Sequence, residues 1–184
     1  QAVALAQRAF QRGAEVTLIA AHLEVDPPEG VKVINVSTAA QMQEVVLSAA
    51  SDFDIVIMAA AVSDYRVDTV SGTKLKKSEN EGNLQLSLVE NPDILKELVQ
   101  NKSVGQLIVG FAAETLSGKE LIHVAQEKLA RKGCDFLVVN QVGWEQGFGT
   151  ERNDVTVLSP TAGILVEVSG SKLAVADKVL DTFA

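Results

Sequence analysis

Apolar positions over the opening residues recur at helical spacing: Ala2, Leu5, Ala6, Ala9 and Phe10 share one face, and Gly13 supplies a stop. No capping residue precedes them, so the pattern predicts the remainder of a longer helix. The next apolar runs are short. Residues 14–19, 31–36, 53–58, 106–111 and 136–139 each read as a strand, and the run at 53–58 is apolar enough to be central. Leu84, Leu86 and Leu88 alternate with polar residues, which predicts a half-buried strand. Helices fall between the strands. Thr38 and Gln41 form a capping box for one that runs to about residue 50. Asn91 and Pro92 mark a second helix start, as cap and first-turn proline. Residues 121–132 form a third helix, closed by Gly133. Two late strands, 155–158 and 164–168, are separated by Pro160 and Gly163 and predict a hairpin, with a final helix from about Lys172.

Strands alternating with helices predict an α/β fold: a Rossmann-like three-layer sandwich with a mostly parallel sheet, followed by a C-terminal β-hairpin and helix. Neither an internal repeat nor a low-complexity linker interrupts the chain, so residues 1–184 read as a single domain. Composition agrees. Hydrophobic residues make up 47% and charged residues 22%, a globular balance, while aromatics at 4% leave the core to Val, Ile, Leu and Ala.

The 16 basic and 24 acidic residues give a net charge of −8. An acidic surface argues against nucleic acid and anionic membranes as partners, and an anionic ligand would need a local basic pocket. No apolar run is long enough to span a bilayer, and no signal peptide is visible. The one cysteine, Cys134, excludes an intrachain disulfide and reads as a small core residue. These features predict a cytoplasmic protein.

In parallel sheets ligands bind beyond the carboxyl ends of the strands. Three segments hold that position: the one after Met58, the one after Val109, and Asn140 onward. Ala59, Ala60 and Ala61 leave backbone accessible to a flat ring or a phosphate, and Asp64 adds a carboxylate able to hold a metal or hydroxyl groups. A tightly packed strand end with a surface Asp is the equally simple alternative. Lys74, Lys76 and Lys77 form a basic cluster that reads either as a solvated loop or as a flexible segment closing on a polyphosphate. Asn91-Pro92-Asp93-Ile94 reads as a capped helix start or as a ligand contact. Lys128 and Lys132, at i and i+4, form either a solvated helix face or a phosphate clamp. Phe111 either stacks on a base or plugs the core.

Taken in order, AAAVSDY, KLKK, NPDI, GFAAET, EKLARKGCDFLVVN and GFGTERNDV resemble bacterial phosphopantothenate–cysteine ligase over almost the whole chain. That domain often forms the C-terminal half of a bifunctional protein whose other half is a flavin-dependent decarboxylase. The resemblance implies a ligase that joins cysteine to 4'-phosphopantothenate in coenzyme A synthesis, using CTP and Mg²⁺ through an acyl-cytidylate, with FMN only where a decarboxylase half is attached. It implies that Ala60, Asp64, Lys74, Asn91, Pro92, Asp93, Ile94, Phe111, Lys128 and Lys132 contact the nucleotide. Lys74 would serve the reacting phosphate or acyl group, and Asp64 the metal. It further implies a homodimer, with a flap around the lysine cluster near the subunit boundary. The family's N-terminal strand, its glycine-rich phosphate loop and the asparagine that stabilises the intermediate are expected ahead of the first helix and are missing from this sequence. Two other readings remain at this level: an NAD(P)-dependent Rossmann oxidoreductase, with Glu24 as the nearest acidic residue past Ile19, and a non-catalytic nucleotide-binding or dimerisation module.

Overall fold

The computed structural model describes residues 1–75, 83–143 and 152–183. Lys76, Lys77 and residues 147–151 of the GFGTERNDV motif lie outside the described residues. The first helix, α1 (Ala2–Gln11), follows the apolar spacing, and no side chain caps its start at Gln1. Strands β1 (Thr17–Ala20) and β2 (Lys32–Asn35) pair in parallel. Helix α2 (Ala39–Ala49) starts at Thr38, whose hydroxyl accepts the Gln41 N–H at 3.1 Å. Gln41 answers by accepting the Ser37 N–H at 2.8 Å, one residue before the expected partner of a capping box.

A short 3₁₀ turn leads into β3 (Ile55–Met58). The polar segment that follows contains a strand that hydropathy does not reveal, β4 (Tyr65–Val67), paired antiparallel with β5 (Leu88–Glu90). The expected half-buried strand is therefore displaced. Leu84 and Leu86 precede β5, and Leu84, Leu86 and Leu88 are 54%, 56% and 56% exposed. Their alternation reflects an extended backbone whose apolar side is uncovered.

Helix α3 (Ile94–Gln100) is capped by Asp93, whose side chain accepts the Lys96 N–H, so the expectation of Asn91 as cap is corrected by two residues. Pro92 consequently precedes the helix instead of occupying its first turn. Then come β6 (Leu107–Glu114), α4 (Gly118–Lys132) and β7 (Phe136–Gln141). Gly133 ends α4 with φ 73°, the left-handed conformation that only glycine adopts at low cost. The hairpin β8 (Arg152–Ser159) and β9 (Gly163–Ser171) is longer at both ends than its apolar stretches, and α5 (Lys172–Asp181) follows directly.

The main sheet has the order β3-β6-β7-β8-β9. Its β3, β6 and β7 are mutually parallel, and the hairpin adds antiparallel strands at one side. The β1-β2 and β4-β5 pairs form separate small sheets among the described residues. Alternation along the central strands sends Ile108, Leu137 and Val139 to a core shared with α2, α3 and α4. Val109, Val138 and Val157 point the other way, into a second core shared with α1 and α5. This is the three-layer sandwich that the sequence predicts. Each fully buried Val or Leu in it contributes roughly 1.5–3 kcal/mol of transfer free energy. Cys134 is buried in the first of these cores. Its burial pushes the thiol pKa up, against a stabilising hydrogen bond from the Gly110 backbone, as suits a core residue.

Candidate functional site

Parallel pairing places the carboxyl ends of β3, β6 and β7 on one rim: Met58 lies opposite Gly110, and Gly110 opposite Leu137. Beyond that rim opens a cleft of about 630 Å³. Its floor is made of small residues, Ala60 and Ala61 after β3, and Ala112 and Ala113 on β6. Asp64, Asn91, Pro92, Asp93, Ile94 and Phe111 form the walls on the strand side, and Lys128 and Lys132 face them from α4. Nine of the ten residues singled out from the sequence therefore converge on one cavity. Lys74 is exposed in the loop after β4 and does not line it.

Hydrogen bonds fix how the wall residues sit. The Asn91 N–H donates to the Asp64 carbonyl at 2.7 Å, and its side-chain amide donates to the Ser63 carbonyl at 2.9 Å. Arg66 donates to both the Asn91 side-chain oxygen and the Glu90 carbonyl, at 3.3 and 2.7 Å. Asn91 thus clamps the loop after β3 against the entry to α3. Ile94 turns inward and is buried in the α2/α3/α4 core. Phe111 packs partly against the α1/α5 core, as the core-plug reading expects, and also lines the cleft.

The two lysines do not present bare charges. Lys128 pairs with Glu114 at the end of β6, and Lys132 Nζ lies 2.5 Å from Asp93 Oδ2. Burial disfavours the charged form of Asp93, but the hydrogen bonds from Lys132 and the Lys96 N–H outweigh it and hold its pKa below the usual carboxylate range. Three residues that the sequence reading passed over also line the cleft: Tyr65, Glu90 and Arg131. Arg131 was legible, because it falls at i+3 from Lys128 on the same helical face. Tyr65 and Glu90 were hidden by the unrecognised β4-β5 pairing. Asn140, on the rim at β7, has a buried side-chain oxygen with no hydrogen-bond partner.

The lining carries three carboxylates (Asp64, Glu90, Asp93) and three cations (Lys128, Arg131, Lys132), so its formal charges balance. A polyphosphate bound here would call for added positive charge. Among the described residues no cluster of three or more His, Cys, Asp or Glu could hold a metal by itself. Magnesium bound chiefly by phosphates and water needs only one or two protein carboxylates. Asp64 fits that requirement, because Asp93 is committed to Lys132 while the Asp64 carboxylate has no hydrogen-bond or ion-pair partner among the described residues.

A second depression of about 740 Å³ lies at the ends of β1 and β2. It is lined by His22, Glu24, Asp26 and Asn35, with no Lys or Arg, so its carboxylates disfavour an anion. Glu24 therefore sits outside the main cleft. Among the described residues no helix is long and apolar enough to cross a membrane.

Known proteins resemble this chain in sequence and fold. The coenzyme A biosynthesis bifunctional protein CoaBC of Mycobacterium tuberculosis is 43% identical over 190 residues, covering 98% of this chain and 45% of its own. The CoaBC protein of Mycolicibacterium smegmatis is 40% identical over 192 residues, covering 100% of this chain and 46% of its own. The chain thus spans a little under half the length of these relatives. The crystal structure of the C-terminal domain of a CoaBC protein superposes with a TM-score of 0.78 at 31% identity, covering 98% of this chain and 79% of that one. A Cab2 variant in complex with phosphopantothenate-cysteine shares the fold, with a TM-score of 0.63 at 20% identity over 84% of this chain and 53% of that one. The family described as the DNA/pantothenate metabolism flavoprotein C-terminal domain matches residues 1–184, and the chain belongs to it.

Proposed function

We propose that this chain is a phosphopantothenate–cysteine ligase domain of coenzyme A synthesis that uses CTP. The observation that carries the proposal is the convergence of Ala60, Asp64, Asn91, Pro92, Asp93, Ile94, Phe111, Lys128 and Lys132 on one cleft. A carboxylate is a poor electrophile, since its charge repels an amine and oxide is a poor leaving group. In the proposed reaction the phosphopantothenate carboxylate oxygen attacks the α-phosphorus of CTP, and pyrophosphate leaves. The cysteine amine then attacks the acyl carbon of the cytidylate; CMP leaves and the amine loses its proton.

The chain's own part is positioning and charge neutralisation. The alanines at 60, 61, 112 and 113 admit a flat ring or a phosphate close to backbone, with Phe111 beside them. Lys128 and Lys132 turn from their carboxylates to phosphate oxygens. Lys74, carried on the loop after β4, serves the reacting phosphate. Asp64 would hold Mg²⁺, which supplies Lewis-acid neutralisation of phosphate charge. FMN belongs to a decarboxylase half wherever one is attached. The reading includes a homodimer, supported by the uncovered apolar run at Leu84, Leu86 and Leu88. It also includes a cytoplasmic location, in keeping with the lone buried thiol at Cys134.

The test uses the chain joined to the family's N-terminal strand, phosphate loop and asparagine, supplies phosphopantothenate, cysteine, CTP and Mg²⁺, then follows pyrophosphate release and the mass of the amide product. Pyrophosphate release that depends on phosphopantothenate, with the amide formed only when cysteine is added, is the expected result. Binding of CTP without turnover would point to a non-catalytic module. Binding of NADPH in preference to CTP would point to an oxidoreductase. Either outcome overturns the proposal.

A further inference from the structure

Helix α4 presents three cations to the cleft, Lys128, Arg131 and Lys132. Their i, i+3 and i+4 spacing puts them on one helical face. Two of them are engaged: Lys128 by Glu114 and Lys132 by Asp93. Arg131 is exposed and makes no hydrogen bond or ion pair among the described residues. A phosphate that reaches for either lysine has to displace a carboxylate, so part of the new interaction offsets the loss of an old one. A phosphate that meets Arg131 displaces only water. The guanidinium is also the better first contact by geometry, because its planar fork donates two parallel hydrogen bonds to one phosphate group.

An alternative use for Arg131 exists. It lies in the last turn of α4, where a cation complements the helix dipole. That role makes it a stability residue with no effect on ligands. The position on the cleft wall, between two lysines already tied to carboxylates, favours the binding role.

We propose that Arg131 is the leading phosphate anchor of the cleft, taking a polyphosphate bidentately before Lys128 and Lys132 exchange their carboxylates for it. The proposal rests on the nucleotide reading of the cleft and deepens it. The experiment measures binding of inorganic tripolyphosphate and of CTP, by calorimetry and at several salt concentrations. It compares the unchanged full chain with Arg131→Ala, Arg131→Lys and Lys119→Ala. Lys119 is exposed at the opposite end of α4 and controls for the loss of one positive charge. Arg131→Ala is expected to weaken both ligands about tenfold or more, the usual scale for a charge-assisted contact. Its affinity should also vary less steeply with salt. Arg131→Lys should restore only part of the loss, because a point charge lacks the fork. Lys119→Ala should bind within about twofold of the unchanged protein, as an exposed charge away from the ligand does.

Tripolyphosphate binding by Arg131→Ala within twofold of the unchanged chain overturns the proposal. So does an equal loss in Lys119→Ala, which would show only a bulk charge effect, and so does failure of the unchanged protein to bind tripolyphosphate. If the unchanged protein binds tripolyphosphate but gains nothing from the nucleoside of CTP, the nucleotide reading fails instead. Arg131 is then still judged on the tripolyphosphate arm.

Discussion

The Asp93 carboxylate joins two helices: one oxygen accepts the Lys96 N–H at 3.2 Å and caps α3, while the other lies 2.5 Å from Lys132 Nζ near the end of α4. Because Lys132 faces the cleft, the residue that starts α3 also sets the resting position of a cation proposed to hold ligand. Helix capping and the proposed binding are thus linked through one side chain.

Removing that side chain should be measurable by denaturation. Asp93→Ala loses a helix cap, worth about 1 kcal/mol. It also loses a partly exposed ion pair, worth no more than about 1 kcal/mol. A drop of roughly 1–2 kcal/mol in unfolding free energy is expected from the two together. Asp93→Asn keeps a capping oxygen and should lose only the smaller, ionic part. The same pair of variants reports the pH dependence. The folded-state pKa of Asp93 is lowered, since the contacts with Lys132 and Lys96 outweigh the opposing effect of burial. Its ionic contribution is therefore fully present above the ordinary carboxylate range and disappears as pH falls through the lowered value. The stability gap between the unchanged protein and Asp93→Asn should stay constant from neutral pH down to that range, then close below it. A gap that widens in acid would show that the sign is wrong.

Gly110 lies on β6 beneath Leu95 of α3. A Cβ there would meet Leu95 Cδ2 at 2.7 Å, with Cys134 Sγ and Leu137 Cδ1 both at 3.3 Å. Leu95 also lines the cleft and can give way there, but Cys134 and Leu137 are fully buried and have little room to yield. Gly110→Ala should destabilise the protein by about 1–3 kcal/mol, the usual cost of overpacking a core. It should also weaken nucleotide binding by shifting the α3 entry. Thermal melting and CTP calorimetry on the same preparation check both effects, and an unchanged melting temperature would show that the core has slack at this point.

What could be read from the chain alone follows from where side chains, rather than backbone, decide the structure. The central strands and the apolar faces of α1 and α2 were legible because burial selects Val, Ile, Leu and Ala at fixed periods. The cleft was legible as separate clusters, and the family resemblance joined them; residue patterns alone left Asp64 and Lys128 with a solvated-surface alternative. Strand β4 was missed because Tyr65, Arg66 and Val67 are held by backbone pairing to Leu88–Glu90, which hydropathy does not record. The hairpin was drawn too short for the same reason: Arg152, Asn153 and Asp154 lie opposite Ser171, Gly170 and Ser169 in the strand ladder, a pairing that polar side chains do not reveal. The shift of the α3 cap from Asn91 to Asp93 reflects two residues with equal capping chemistry. Their tertiary partners distinguish them: Asn91 is held by Ser63 and Arg66, and Asp93 by Lys96 and Lys132.

The apolar run before and within β5 leads to a prediction about assembly. Leu84, Leu86 and Leu88 are each more than half exposed, although Leu residues usually find cover in a globular protein. Under the proposed homodimer a second copy covers this arm. The triple replacement Leu84→Ser, Leu86→Ser and Leu88→Ser should shift the protein from dimer to monomer in sedimentation while leaving its melting transition cooperative. A dimer of undiminished stability would place the subunit boundary elsewhere.

Lys74 offers the sharpest separation of chemistry from binding. It is exposed on the loop after β4 and does not line the cleft, so the unliganded fold does not depend on it. In the proposed reaction its ammonium neutralises charge that develops on the reacting phosphate, a contact made more strongly in the transition state than with bound substrate. Loss of one contact that neutralises charge in the transition state costs on the order of 3 kcal/mol in barrier, or roughly a hundredfold in rate. In the chain joined to the family's N-terminal strand, phosphate loop and asparagine, Lys74→Gln should therefore fall about a hundredfold in kcat at saturating CTP, phosphopantothenate and cysteine. Its melting temperature and its CTP affinity should stay close to those of the unchanged protein. A variant that keeps kcat but raises KM would make Lys74 a ground-state binding residue, and one with unchanged kcat and KM would remove it from the reaction altogether.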